Sequence, residues 1–336
     1  MNPGRILPVL TTALAALAAC RRAEPPPPLP DGQPLYAIGI FQYTDAPTLT
    51  EVRTGLLRAL DEAGLKDGVN VRLDVRSAGG DVASAQRIAQ EFAAARYDLV
   101  VPLSTQCLQA ALIALPTTTP LVFASVANPY ILGAGRTPTD HLSHVTGVVS
   151  TGPVRQMIAF IREVLPRARR VGTLWTPSEI NSEYYLELAR EAAAAAALDL
   201  ESVPVTNAGE IPTAVQRVLN RKVDALFPIS DNTLNSSFAV LGRAADEARL
   251  PLFGGFVLST GLGACAAMGF NFTDMGYKAG RIVLRVKAGE SPGRIPFQSM
   301  ESVKLFLNVK AAERQGLVFS PDILRKADQV VSESRP

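Results

Sequence analysis

The stretch AIGIFQYTDAPTLTEVRTGL, residues 37–56, decides the fold because the chain repeats its pattern as RVGTLWTPSEINSEYYLEL at residues 170–188. Each copy starts with a short apolar run, passes through a polar loop and continues with the spacing of an amphipathic helix. Two further pairs follow in the same order, residues 83–105 with 213–233 and residues 117–129 with 247–260. The repeat predicts two similar lobes, and a cleft between such lobes is a common place for a ligand.

Short apolar runs rich in branched residues alternate with helical patterns in both copies. The predicted strands are residues 37–41, 71–75, 99–103, 121–124, 171–175, 200–205, 225–229 and 252–255. The predicted helices between them are residues 49–63, 82–95, 182–197, 211–220 and 234–248. Strands buried on both faces and separated by helices favour a parallel sheet. The predicted fold class is therefore α/β, with two doubly wound parallel-sheet lobes joined by a multi-strand hinge.

The segment after Thr260 is predicted to join the two lobes, because it holds a strand pattern, an amphipathic helix and a second strand pattern. A chain that returns to the first lobe and then crosses to the second makes about three connections, which allow closure of rigid lobes. The predicted lobes are residues 35–148 plus 261–292 and residues 149–260 plus 293–330.

The first 34 residues are predicted to lie outside the fold. Residues 1–19 have a basic start and an apolar segment too short to cross a bilayer, as in a signal peptide. They end in Leu17-Ala18-Ala19-Cys20, which resembles the lipobox of bacterial lipoproteins and implies cleavage before Cys20 and a lipid on its sulfur. An ordinary secretory signal with a chance cysteine is the alternative. Residues 20–34 are rich in proline, which favours an extended tether to the cell envelope.

The composition predicts a sizeable buried core and gives no case for nucleic-acid binding. Of 336 residues, 47% are hydrophobic and 19% are charged, and 33 Lys and Arg balance 31 Asp and Glu to a net charge of +2. No basic stripe with interleaved aromatic residues is present. Cys107 and Cys265 are the cysteines beyond Cys20; burial as small apolar residues and pairing with each other are both open.

Polar side chains follow the predicted strands of both lobes. In open parallel α/β sheets, ligands bind beyond the carboxyl ends of the strands. This rule selects as ligand-binding residues Tyr43, Thr44, Ser104, Thr105, Ser125, Asn128, Glu179, Asn181, Ser182, Asp231, Asn232 and Phe256. It also reaches Gln106, Ser230 and Thr233.

Asp231 is the predicted partner of a ligand ammonium group, because a carboxylate facing the cleft can hold a cation. Hydroxyl groups and free backbone N–H groups at helix starts can hold a ligand carboxylate. The alternative for each of these Ser, Thr, Asn and Asp residues is that it caps a helix. Aromatic residues in the same loops are candidates either for a pocket wall or for the core: Phe41, Tyr43, Tyr130, Phe256 and Phe272.

Several motifs resemble a family of ABC-transporter substrate-binding lipoproteins whose better-known members bind tryptophan or tyrosine. They are TPSEINS at 176–182, SDNT at 230–233, SVANP at 125–129, GFNFTDMGYKAG from Gly269 and GLVFSPDILRKAD near the C-terminus. The resemblance spans residues 36–328 and implies the type I periplasmic-binding-protein fold. It also implies binding roles for Glu179, Asn181, Ser182, Asp231 and Asn232. Asn128 and Asn271 stand where that family often has Asp, and Asn271 joins the predicted ligand-binding residues.

Two other functions are open at this stage, and the first is an α/β hydrolytic enzyme. The two histidines, His141 and His144, form H-x-x-H without a third metal ligand, and no nucleophile elbow or phosphate-binding glycine loop is present. We therefore predict no catalytic residue, metal or cofactor. A ligand-sensing protein that feeds a membrane receptor or kinase is the second alternative, since it needs the same closure. The favoured partners are a small molecule and an ABC permease, with the protein a monomer.

Overall fold

The computed structural model describes residues 35–332. Its strands are β1 (Tyr36–Gln42), β2 (Val71–Ser77), β3 (Leu99–Leu103), β4 (Leu121–Val126), β5 (Val145–Val149), β6 (Arg170–Trp175), β7 (Asp199–Pro204), β8 (Ala225–Leu226), β9 (Phe253–Gly254), β10 (Ala266–Gly269), β11 (Gln298–Ser299), β12 (Lys304–Asn308) and β13 (Gln329–Val331). Its α-helices are α1 (Pro47–Glu62), α2 (Val82–Ala95), α3 (Thr105–Ala114), α4 (Val154–Val164), α5 (Ile180–Ala195), α6 (Ile211–Leu219), α7 (Asn232–Ser236), α8 (Phe238–Ala248), α9 (Phe272–Lys287), α10 (Val309–Arg314) and α11 (Pro321–Lys326). The predicted alternation of strands and helices is confirmed.

The first lobe is built on a parallel sheet with the strand order β11-β5-β4-β3-β1-β2. Every residue of β3 is buried, as expected for a strand with helices on both faces. This burial explains why its sequence, LVVPL, is apolar throughout.

The second lobe repeats this order. Strands β7-β6-β8 form one ladder and β9-β10-β12-β13 another, and the N–H group of Leu226 donates to the carbonyl of Pro251 at 2.9 Å between them. The resulting order β7-β6-β8-β9-β10 matches β2-β1-β3-β4-β5 of the first lobe. Strands β8 and β9 are two residues each, shorter than predicted, and β12 runs antiparallel to β10.

The two lobes exchange a helix. After β5 the chain crosses into the second lobe as α4, whose Met157 and Ile161 are fully buried in that lobe's core. After β10 it crosses back as α9, whose Met275 and Val283 are fully buried in the first lobe's core. A third crossing leads from β11 to β12. Three connections therefore join the lobes.

These crossings place two segments differently from the predicted lobe boundaries. Within residues 261–292, α9 packs in the first lobe as expected, but β10 pairs with β9 and β12 in the second. Within residues 293–330, β12 and β13 are in the second lobe as expected, but β11 pairs with β5 in the first. The physical reason is that backbone pairing extends each sheet by one further strand before the chain crosses.

Helices α1 and α9 pack at very short range. A Cβ atom added to Gly276 would lie 1.8 Å from the carbonyl oxygen of Val52, and one added to Gly55 would lie 1.9 Å from the carbonyl oxygen of Thr273. Only residues without a side chain allow this backbone approach. The contact fixes α9 on the first lobe.

The predicted signal peptide 1–19, Cys20 and the tether 20–34 lie outside the described residues. Among residues 35–332, none of the helices has both the length and the apolar character needed to cross a bilayer.

Candidate functional site

A cavity lies between the lobes, beyond the carboxyl ends of the strands. The first lobe lines it with Thr48, Leu49, Thr105, Ser125, Ala127, Phe270 and Phe272. The second lobe lines it with Asn181, Tyr185, Phe227, Ser230, Asp231, Asn232, Asn235 and Gly255. The first chain crossing closes its back through Ser150, Gly152, Pro153 and Val154. Five predicted ligand-binding residues meet here: Thr105, Ser125, Asn181, Asp231 and Asn232.

The start of α3 forms the first-lobe side of the cavity. The hydroxyl of Ser104 accepts the N–H of Cys107 at 3.1 Å and caps the helix, and its backbone has φ 137°. Thr105 is therefore the first helical residue, and its Oγ1 accepts the N–H of Ala127 at 3.3 Å. Ser125 also has a positive φ of 58°, a conformation that costs free energy in residues other than glycine and often occurs at functional sites.

Asp231 is the carboxylate of the cavity lining. Its Oδ1 accepts the N–H of Leu234 at 2.8 Å and caps α7, and its Oδ2 accepts the hydroxyl of Ser182 at 2.7 Å. Ser182 Oγ in turn accepts the N–H of Thr176 at 2.8 Å. Asp231 therefore caps α7 and also lines the cavity, so the two roles predicted for this side chain do not exclude each other.

Burial makes the charge of Asp231 costly. The residue is 1% exposed, and no ion pair involves it within residues 35–332. Burial raises the pKa of this carboxyl well above its usual range, and the nearby carboxylate of Glu179 raises the pKa further. The hydrogen bonds from Leu234 and Ser182 oppose this increase. A ligand cation beside Asp231 would offset the free-energy cost of a buried negative charge.

Glu179, a predicted ligand-binding residue, bonds to the start of α7. Its Oε1 accepts the N–H and hydroxyl of Thr233 at 2.9 and 2.8 Å, and its Oε2 accepts the N–H and side-chain amide of Asn232 at 3.0 and 2.6 Å. The carboxylate therefore holds the start of α7 and does not line the cavity. Asn232 and Thr233 lie more than fifty positions from Glu179 along the chain, so local sequence did not predict these bonds.

The remaining predicted residues also lie outside the cavity lining. Ser104 and Ser182 act through the bonds described above. Thr44 accepts the N–H of Ala46 at 3.3 Å, Asn128 accepts that of Tyr130 at 3.0 Å, and Asn271 caps α9 through the N–H of Asp274 at 3.0 Å. Phe256 is in the second-lobe core, with its ring edge-on to Phe238. Tyr43 is buried in the first lobe, where burial raises its pKa.

Several cavity residues were absent from the prediction. Tyr185 lies one helical turn after Asn181, and its hydroxyl donates to the carbonyl of Ser150 and accepts the N–H of Gly152 at 3.0 Å. The spacing of four residues on α5 was the signal that this side chain shares a face with Asn181. Thr48 and Leu49 start α1. Of the aromatic candidates, Phe272 lines the cavity while Phe41 is fully buried against Phe92.

The cavity offers complementary ends for a zwitterion. The starts of α1, α3 and α5 contribute Thr48, Thr105 and Asn181, and helix starts carry partial positive charge and unpaired N–H groups. Asp231 supplies the negative charge. Leu49, Phe227, Phe270 and Phe272 provide an apolar wall. The arrangement suits a small molecule with a carboxylate, an ammonium group and an apolar part.

The two buried cysteines show no sign of nucleophilic activation. Cys107 and Cys265 are free and buried, as small apolar residues are. Burial raises the pKa of the Cys107 thiol to about 12 and also raises that of Cys265. Because the thiolate is the reactive form, neither thiol is suited to attack a ligand near neutral pH.

Known proteins are similar to this chain in sequence and in fold. The sequence model of a family described as "ABC transporter substrate binding protein" matches residues 37–331. A tyrosine-binding protein of Clostridioides difficile is 27% identical over 283 residues, which cover 83% of this chain and 81% of that protein.

Several solved structures are also similar to this chain. A conserved domain protein of Vibrio cholerae superposes with a TM-score of 0.84 at 28% identity, covering 88% of this chain and 100% of that one. An ABC domain from Streptococcus pneumoniae in complex with L-Trp has a TM-score of 0.83 at 26% identity, covering 89% and 100%. A ligand-free, open substrate-binding protein from Clostridium difficile has a TM-score of 0.66 at 26% identity, covering 89% and 100%.

Proposed function

This chain belongs to the family of ABC transporter substrate-binding proteins, and on that premise we propose that its inter-lobe cavity binds a free amino acid with an apolar or aromatic side chain. The observation that carries this proposal is the buried Asp231 carboxylate, which lies in the cavity without a protein cation among the described residues. The tyrosine-binding relative and the L-Trp complex support the same ligand class.

Each part of such a ligand has a partner in the cavity. The ammonium group would lie beside Asp231, where it stabilises the ionised carboxylate. The ligand carboxylate would lie among the hydroxyls and helix starts at Thr105 and Thr48, away from Asp231. The side chain would contact Phe270 and Phe272. These groups come from both lobes, so the ligand is held completely only when the lobes are closed.

Closure is the signal that the protein passes on. A ligand shifts the equilibrium towards the closed form by the difference between its affinities for the closed and open forms. An ABC permease that recognises the closed form would then receive the ligand for import. In this role one monomer carries one ligand and performs no chemistry on it.

A screen of amino acids by thermal shift tests the ligand class. At a concentration about 100 times its Kd, a ligand that binds the folded state adds roughly 2.7 kcal/mol of stability, which raises Tm by about 5 °C. We expect this increase with apolar or aromatic amino acids and no increase with their decarboxylated amines or deaminated acids. Equal shifts with the acids that lack the amine would contradict the role of Asp231.

We also propose that a lipid anchors the protein to a membrane. Lipid on Cys20 would hold the protein at the outer side of a membrane, with residues 20–34 as the tether. We expect Cys20→Ser to release the protein from the membrane fraction into the soluble extracytoplasmic fraction, measured by immunoblot after fractionation. Replacing Cys107 by Ser is the matched control and should leave the membrane association unchanged. Full membrane association of the Cys20→Ser protein would contradict the lipid anchor.

A further inference from the structure

Gln106 joins the two lobes directly. It is the second residue of α3 in the first lobe and is 4% exposed. Its Nε2 donates to Oδ1 of Asn181 at 2.5 Å, and its Oε1 accepts the side-chain amide of Asn232 at 3.0 Å. A longer contact of 3.4 Å joins its Nε2 to Oε2 of Glu179. One first-lobe side chain thus contacts three second-lobe residues.

The second-lobe partners of Gln106 form a fixed platform. Glu179 holds the backbone of Asn232 and Thr233, and the amide of Asn232 donates to both Glu179 and Gln106. A side-chain amide is suited to this position because it donates with its nitrogen and accepts with its oxygen. Gln106 is not in the lining of the ligand cavity. Its bonds across the lobes therefore need no ligand.

We propose that Gln106 is a latch that stabilises the closed form without ligand and thereby sets the affinity of the protein for its ligand. The lobes are in a closed arrangement, because the described structure superposes better on the L-Trp complex, with a TM-score of 0.83, than on the open neighbour, with 0.66. The part of the inference that concerns affinity rests on the proposed function, whereas the part that concerns closure does not.

The latch acts on the equilibrium between open and closed forms. Apparent affinity is reduced by the fraction of protein that is not in the binding-competent form. One buried and one partly buried hydrogen bond favour the closed form in both the free and the liganded protein. Their loss lowers the closed fraction of the free protein and weakens ligand binding by up to about tenfold, which corresponds to roughly 1.4 kcal/mol.

The distance between the lobes can be measured with spin labels on both sides of the cleft. Val82, which is 41% exposed, and Ala208, which is exposed, belong to opposite lobes near a groove between Gly80 and Asn207. Cysteines at these two sites in a full chain with Cys20→Ser can be labelled selectively, because Cys107 and Cys265 are buried. Double electron–electron resonance spectroscopy then gives the distribution of distances between the two spin labels in the free protein.

We expect the free protein with Gln106 to show mainly the short distance of the closed form. Gln106→Ala should shift the free protein to the longer distance, and Gln106→Glu should do the same because a carboxylate cannot donate to Asn181 and faces Glu179. Saturating ligand should restore the short distance in both variants. An unchanged distance distribution in both free variants would overturn the latch, whether or not any amino acid binds.

A matched control separates closure from general loss of stability. Gln315 is also buried, at 1% exposed, but its side chain bonds to Leu252, Asp246 and Gly263 within the second lobe. We expect Gln315→Ala to lower Tm and leave the label distances unchanged. An opening of the lobes by Gln315→Ala equal to that of Gln106→Ala would also overturn the specific role of Gln106.

Discussion

The variant Asp231→Asn is expected to bind an amino-acid ligand at least about 30-fold more weakly than the wild-type protein. Removing one partner of a buried charged pair costs roughly 2–5 kcal/mol, because the other charge remains buried without compensation. Asn keeps the shape of the side chain and an oxygen that can cap α7 through Leu234, so the fold should persist. Isothermal titration calorimetry with an amino acid from the thermal-shift screen measures the loss.

The same variant should make the ligand-free protein more stable at neutral pH. The pKa of Asp231 in the folded protein is raised above that of an unfolded Asp, about 3.9. The stability due to this group is therefore fully present below about pH 4 and is lost as the pH rises through the raised pKa. Asn has no such dependence, so the stability advantage of Asp231→Asn should grow with pH in that window. Thermal unfolding of the two free proteins at a series of pH values measures it.

Asp81→Asn is the matched control for this experiment. Asp81 also caps a helix, through the N–H of Ser84 at 2.7 Å, but it is exposed and lies outside the cavity. We expect ligand affinity to remain as in the wild-type protein. Equal affinity of the Asp231→Asn and Asp81→Asn proteins would show that the ligand ammonium lies elsewhere.

Gly276→Ala is expected to lower Tm by about 5 °C. In an ordinary helix this change gains roughly 1 kcal/mol. Here the new methyl group would lie 1.8 Å from the carbonyl oxygen of Val52 and 2.9 Å from the backbone nitrogen of Leu56, so α9 must move away from α1. Overpacking of this kind costs about 3 kcal/mol, and each kcal/mol changes Tm by roughly 1.6 °C in a protein of this size. Differential scanning calorimetry measures the change.

Gly261→Ala provides the comparison for Gly276→Ala. No atom lies within 4 Å of a Cβ added to Gly261, so this substitution should leave Tm nearly unchanged. A Tm of the Gly276→Ala protein that equals the wild-type value would mean that α1 and α9 do not pack as tightly as the structure shows.

The repeated pattern was sufficient to predict the α/β class and the order of the elements. The predicted lobe boundaries also gave α4 and α9 to the lobes that contain them, but they misplaced β10 and β11, because an apolar strand pattern indicates burial and not which strand it pairs with. The predicted strands at β8 and β9 were too long, because apolar residues that follow a strand can be buried without pairing in the sheet. Phe227 and Ile229 are buried, and their apolar character reflects packing in a core and not membership of a ladder.

The sequence led to part of the cavity through the rule on strand ends. Thr105, Ser125, Asn181 and Asp231 follow strands or start helices directly, so their place depended on local pattern alone. Glu179 follows the same pattern, yet its partners in α7 bring it away from the cavity. Ser150 and Phe270 line the cavity because the chain crosses between lobes there, and the position of a crossing depends on pairing that local sequence does not reveal.

The exchange of α4 and α9 affects how the chain folds as it leaves the ribosome. Strands β1–β5 and α1 are synthesised long before α9, which covers the face of α1 that contains Val52, Leu56 and Leu60. The first lobe also lacks its edge strand β11 until Ser299 has been made. Neither lobe can therefore complete its core as an independent cotranslational unit. Each lobe should complete its core only after β11 and β12 have been synthesised.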